Sequence, residues 1–95
     1  MTYNLEFLPS ALREWLKLGA TIRTQFGKKL EERLASPRVE ADRLRRYENC
    51  YKIKLRAAGY RLVYRVEEAR ITVLVVAVGR RERDEVYLMA AKRMG

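Results

Sequence analysis

Residues 50–64 constrain the fold of this chain most. They read Cys-Tyr-Lys-Ile-Lys-Leu-Arg-Ala-Ala-Gly-Tyr-Arg-Leu-Val-Tyr. Tyr51, Ile53 and Leu55 alternate with Lys52, Lys54 and Arg56, the period-two pattern of a half-buried strand. Tyr60, Leu62 and Tyr64 resume the pattern beyond Gly59, with Arg61 and Arg65 between them. Two such runs joined by a short turn predict a β-hairpin. A four-residue loop, Arg56-Ala57-Ala58-Gly59, pairs Leu55 with Tyr60, Lys54 with Arg61 and Ile53 with Leu62. One face is then apolar and the other cationic. A three-residue loop sets Lys54 against Leu62 and mixes the faces, which a buried sheet face disfavours. In the favoured register Lys52 and Lys54 stand about 6.6 Å apart along their strand. Like charges opposite one another weaken a strand pair, so a chain that gathers three of them is expected to hold an anion.

The remaining elements follow in order. Tyr3, Leu5 and Phe7 alternate with Asn4 and Glu6, a short strand. Pro9 suits a first helical position and Ser10 can help cap it. Leu12, Trp15 and Leu16 then mark a helix ending at Gly19. Ile22, Phe26, Leu30 and Leu34, at spacing four, predict a second helix over residues 20–35, stopped by Ser36-Pro37. The short join makes the two an antiparallel helical hairpin, with Trp15 and Phe26 in the core. A short strand is expected around Arg43-Leu44-Arg45. A near-unbroken apolar run, residues 71–78, predicts a strand covered on both faces and ended by Gly79. A last helix is expected over residues 82–93. At 95 residues this reads as one α+β domain, a small mainly antiparallel sheet with the helices packed on one face.

Composition narrows the function. Lys plus Arg is 21 against 12 acids, a net charge of +9, which calls for a polyanionic partner, nucleic acid first. The lone Cys50 allows no intrachain disulfide, reads as a plain buried thiol, and fits a cytoplasmic location. The N-terminus has no signal-peptide pattern, and residues 71–78 are too short to span a bilayer; no membrane partner is expected.

The chain has no histidine. That leaves no zinc site and no Ser-His, Cys-His or ribonuclease-type His pair; no cofactor is expected. A cationic sheet can still act on RNA. Attack by the ribose 2′-hydroxyl needs a proton acceptor, charge to stabilise a phosphorane, support for the 5′-oxygen and in-line geometry. Lys52 and Lys54 are neighbours that lower each other's proton affinity, so either serves as base or as electrostatic support. Arg61 offers a phosphate a fork of donors. Arg81, at the exit of the covered strand, reaches the same face, and Tyr87 is placed to stack on a base. Alternating lysines are also the ordinary wet face of a strand. Periodicity leaves Tyr87 open too. It falls in step with Ala90, Ala91 and Met94, while Val86, Met89 and Ala90 form a competing stripe.

Further segments carry a resemblance: Leu12-Arg13-Glu14-Trp15 with Lys17-Leu18-Gly19, Leu34-Ala35-Ser36-Pro37-Arg38, and Cys50 through Arg56. They continue with Gly59-Tyr60-Arg61-Leu62-Val63-Tyr64, Val78-Gly79-Arg80-Arg81-Glu82-Arg83 and Glu85-Val86-Tyr87. Across essentially its whole length the chain resembles the RelE branch of the RelE/ParE toxin superfamily. Gly-Tyr-Arg-x-x-Tyr is shared across that superfamily and specifies fold; the Lys-x-Lys pair with the later Arg and Tyr marks the RNA-cutting branch. The resemblance implies a ribosome-dependent endoribonuclease that cuts mRNA in the decoding A site, on the small subunit, and so stops translation. It implies a RelB-like antitoxin as partner, and binding of operator DNA only as a complex with that antitoxin, for autoregulation. The implied active set is Lys52 and Lys54 (base and electrostatic roles), Arg61 (phosphate), Arg81 (leaving group) and Tyr87 (stacking). Arg45, Arg56, Arg65 and Arg83 are expected as further RNA contacts. Other branches carry a histidine near position 80 or at the C-terminus; this chain does not, so a conventional acid–base pair is excluded. Leu8 stands where a polar helix cap is usual. Lacking a strong base, the enzyme is expected to be weak on free RNA and to need a host that bends its substrate into line. Two rival readings share the fold: a non-enzymatic gyrase poison of the ParE kind, and an inactive nucleic-acid-binding module.

Overall fold

The computed structural model describes residues 2–94, the side chain of Arg83 excepted. The order is β1 (Asn4–Phe7), α1 (Pro9–Leu16), α2 (Ala20–Ala35), β2 (Cys50–Leu55), β3 (Tyr60–Glu67), β4 (Thr72–Arg80) and α3 (Glu85–Met94). Single 3₁₀ turns occupy Glu40–Asp42, Glu68–Arg70 and Glu82–Asp84. The strands form one sheet in the order β1-β4-β3-β2. β1 runs parallel to β4, and the other pairs are antiparallel.

The central hairpin adopts the register that the charge pattern demands: Leu55 opposite Tyr60, Lys54 opposite Arg61, Ile53 opposite Leu62. Gly59 closes the loop at φ +73, a left-handed conformation that glycine adopts without steric cost. Tyr51, Ile53, Leu55, Leu62, Tyr64 and Val66 face a core shared with Ala11, Leu18, Phe26 and Leu30 of the N-terminal helical region.

Several boundaries differ from the sequence expectation. α1 ends at Leu16 instead of running on to Gly19. α1 lies mainly on β4 and α2 on β2, so the two helices are separate covers for one sheet face more than a packed hairpin. Trp15 and Phe26 bridge them, with ring centroids 6.3 Å apart. Leu8 is the cap residue of α1, and no side chain bonds there; it packs instead against both cores. The segment near Arg43 forms only an isolated bridge to Tyr51. β4 starts at Thr72 because Ile71 is left-handed, φ 48, at the end of the preceding turn. It continues past Gly79 to Arg80, whose partner is Tyr60. A bulge sets Val63 and Tyr64 opposite Ala77 and Val75, leaving Val76 extra.

That bulge lets Val76 and Ala77 both join a second core with Val63, Leu74, Val86 and Ala90. α3 therefore covers the face opposite α1 and α2, correcting the expectation that all helices share one face. It reaches β4 and part of β3, and meets β2 at its first residue, where Met94 contacts the Cys50 sulfur at 3.1 Å. Beyond Cys50 the outward face of β2, at Lys52 and Lys54, is only partly covered. No helix among the described residues is long and apolar enough to cross a membrane.

Candidate active site

The open half of the α3 face holds a concavity of about 540 Å³ lined by Leu44, Lys52, Lys54, Arg61, Arg81, Asp84 and Tyr87. Two strands (β2 and β3), the segment before β2, the turn after β4 and helix α3 supply it. Lys52 and Lys54 point outward from β2 by strand alternation, while their neighbours Tyr51, Ile53 and Leu55 are buried. Arg61 lies directly across from Lys54. It is only 8% exposed, and its Nη1 donates to the Tyr60 carbonyl at 2.9 Å. An arginine so enclosed keeps its fork of donors aimed in one direction.

Arg81 follows the last residue of β4. Its backbone N–H donates to the Gly59 carbonyl at 2.9 Å and its carbonyl accepts from Asp84 N at 3.1 Å. Tyr87 lies on α3 between the buried Val86 and the cleft, half exposed. The competing stripe thus holds for Val86 and Ala90, though Met89 is 41% exposed.

The electrostatics follow from crowding. Arg56, and next to it Lys52, hold the Lys54 ammonium below the usual lysine range; desolvation and Arg61 act in the same direction, and Asp42 opposes them. The largest push thus comes from Arg56, not from the Lys52 neighbour. Burial raises the Tyr87 phenol, against the pull of Arg61. It remains a neutral hydroxyl and ring at ordinary pH.

Behind the lysine strand, Arg33 of α2 donates from Nη1 to the Tyr64 hydroxyl at 2.8 Å and to the Lys52 carbonyl at 3.2 Å. Its Nη2 pairs with Asp42 at 2.6 Å, and Tyr64 donates in turn to the Pro37 carbonyl at 2.6 Å. The free edge of β2 is thereby fixed at Lys52. Cys50 is buried, and burial pushes its thiol up, which fits a packing role.

All five residues of the expected active set meet at one cleft. The expected RNA contacts divide. Arg45 lies in a smaller adjoining pocket that shares Leu44 and Tyr87 with the cleft. Arg56 lines a separate depression with Lys54, Gln25 and Lys29. Arg65 pairs with Glu67 at 2.9 Å and does not line the cleft. The Arg83 side chain lies outside the described residues. Sequence reasoning missed Asp84, Leu44 and the Arg33–Asp42 pair. Asp84 is itself left-handed, φ 56, a conformation that no periodicity announces.

The geometry is that of a cationic cleft on a partly covered sheet, and known proteins share the fold. A family model described as the ParE toxin of the type II toxin–antitoxin system parDE matches residues 5–85. The mRNA interferase toxin RelE of Escherichia coli K12 is 56% identical over 94 residues, 99% of each chain. A structure of an E. coli RelE arginine double mutant in the free state superposes with a TM-score of 0.92 at 54% identity, covering 100% of both chains. The RelE of an intact E. coli RelBE toxin–antitoxin complex gives 0.82 at 56% identity, covering 85% of this chain and 99% of that one. With most of its length matched by the family model and nearly all of it by RelE chains, the protein belongs to the RelE/ParE family of type II toxins, on the RelE side.

Proposed function

We propose that this toxin is an endoribonuclease that cuts mRNA in the A site of a translating ribosome. The observation that carries the reading is the convergence of Lys52, Lys54, Arg61, Arg81 and Tyr87 on one cleft of a histidine-free chain. The scissile phosphate sits among the cations. Lys54, with its proton affinity held down, stands next to the 2′-hydroxyl as acceptor or as electrostatic support, and Lys52 reinforces the field. Arg61 grips the non-bridging oxygens, which gain charge in the phosphorane. Arg81 supports the departing 5′-oxygen, and Tyr87 stacks on the exposed base. A ribosome supplies the in-line geometry this site does not impose by itself.

The partner is a RelB-like antitoxin, because a relative is solved in complex with RelB. Operator DNA is bound only by the toxin–antitoxin complex, and the setting is the cytoplasm. Mapping mRNA 5′ ends in cells expressing wild type and Arg81→Ala tests the reading. Wild type should create ends inside translated codons, and Arg81→Ala should lose them by a factor of a hundred or more. Growth arrest without new ends overturns it.

The matched family model is that of a ParE toxin, which keeps the gyrase-poison reading in play. That reading makes the lysines dispensable. Lys52→Ala with Lys54→Ala should abolish toxicity under the ribonuclease reading and leave it intact under the other.

A further inference from the structure

Beside the cationic cleft lies a second, smaller pocket of about 180 Å³. Its lining is mostly apolar: Leu44, Tyr47, Tyr87, Ala90 and Met94, with the exposed Arg45 and Arg46 completing it. It contains no carboxylate among its lining residues. Leu44 is pinned by its backbone N–H to the Cys50 carbonyl at 2.8 Å, and Tyr47 N reaches the Leu44 carbonyl at 3.4 Å. Ala90 is buried and Met94 packs on the second core. The pocket is therefore built on the folded body, and it meets the active cleft through two common residues, Leu44 and Tyr87.

We propose that this pocket receives the nucleobase of a nucleotide flanking the scissile bond, with Tyr47 as a specificity-determining contact. The inference rests on the ribonuclease reading and deepens it. Three observations select the occupant. The volume suits one planar ring system and is too small for a helix or strand of a protein partner. Two arginines and no acid border it, which suits a chain carrying phosphates on either side of the inserted ring. Its shared walls place it next to the phosphate-binding cations, within reach of the adjacent nucleotide. Apolar and tyrosine surfaces beside guanidinium groups are how proteins hold unstacked bases.

The test uses ribosomes programmed with messages that carry one abasic nucleotide at each position flanking the cleaved bond. Wild type should lose about tenfold in single-turnover rate at one position, the scale of one lost base stack. Tyr47→Ala should lose about tenfold on the intact message and nothing further on that abasic message. Tyr47→Phe, which keeps the ring, should behave as wild type. Strictly additive losses overturn the proposal, as does a Tyr47→Ala enzyme of full activity on intact message. So does a Tyr47→Ala variant that is weakened only toward an antitoxin peptide. A 2-aminopurine placed in an uncleavable 2′-deoxy oligonucleotide reads the pocket independently of cutting. Quenching that depends on Tyr47 in a protein that cuts nothing would refute the ribonuclease reading and leave the pocket standing. Normal cleavage with quenching indifferent to Tyr47 would refute the pocket alone.

Discussion

The backbone N–H of Arg81 donates to the carbonyl of Gly59 at 2.9 Å, so the tip of the β2–β3 hairpin holds the residue that closes the cleft. Gly59 has φ +73, and its own N–H returns to Leu55 O at 2.8 Å. A Cβ there would meet nothing within 4 Å. The whole cost of Gly59→Ala is then conformational, about 1 kcal/mol, a fall of about 4–8 °C in Tm. Gly59→Asn should lose less, since asparagine tolerates the left-handed region. Thermal melts paired with single-turnover cleavage check this: activity should follow the order Gly, Asn, Ala. Equal losses for Asn and Ala would detach Arg81 from the turn.

Arg33 and Asp42 form a second tie, at 2.6 Å, with side chains only 13% and 22% exposed. Arg33→Met strands the Asp42 carboxylate and removes donors from the Lys52 carbonyl and the Tyr64 hydroxyl. Leaving such groups unmatched costs about 2 kcal/mol, or about 10 °C in Tm. Asp42→Asn keeps the shape and should cost about half as much. The double variant should recover about 1 kcal/mol relative to the sum, and a strictly additive cycle would mean that the pair is not coupled.

How much of this was legible in the sequence depends on the range of the interaction. The hairpin register followed from local charge alternation, because a one-residue slip would have buried Lys54. The gathering of Lys52, Lys54 and Arg61 came with it. The parallel placement of β1 beside β4 did not, since pairing across residues 8–71 leaves no periodic mark. Neither did the side chosen by α3. With Leu88 and Met89 both exposed on a helix whose buried residues are Val86 and Ala90, its apolar pattern runs most of the way round and names no single face. The bulge at Val76 sits inside a uniform β-branched run. Arg33 and Asp42 meet only because the chain turns back after Pro37.

Glycine inside α2 and at its N-cap costs stability without serving packing. Gly27 lies inside the helix, and a Cβ there meets nothing within 4 Å. Gly27→Ala should add about 1 kcal/mol. Gly19 is the cap residue, at φ −65 and ψ 156, with no side-chain bond to the helix and no acid in the first turn. Gly19→Asp supplies both a cap and a favourable charge at the positive end of the helix, about 0.5–1 kcal/mol. The sites stand about 12 Å apart along the axis, so the effects should add. Denaturant melts should show a higher midpoint at unchanged slope. Cleavage should be unaffected, because neither position lines the cleft.

The pH dependence of cleavage should respond to a residue beside the cleft. Arg56, the largest influence on Lys54, holds its ammonium below the ordinary lysine range. The folded chain therefore binds fewer protons than the unfolded one between the lowered value and the ordinary one. Stability tied to Lys54 rises with pH across that interval, and the full penalty applies below it. Arg56→Gln removes the repulsion, so the Lys54 proton is held more tightly and the limb of the pH–rate profile that Lys54 controls moves to higher pH. The direction is the same for both chemical roles. A neutral amine acting as base makes the rate rise through that limb, and an ammonium acting as electrostatic support makes it fall. The measurement is the single-turnover rate at saturating enzyme on programmed ribosomes, which separates this effect from any loss of RNA binding when Arg56 is neutralised. Lys54→Arg, which cannot titrate in the accessible range, should abolish the limb. A limb that stays in place in Arg56→Gln, or persists in Lys54→Arg, would assign it to another group.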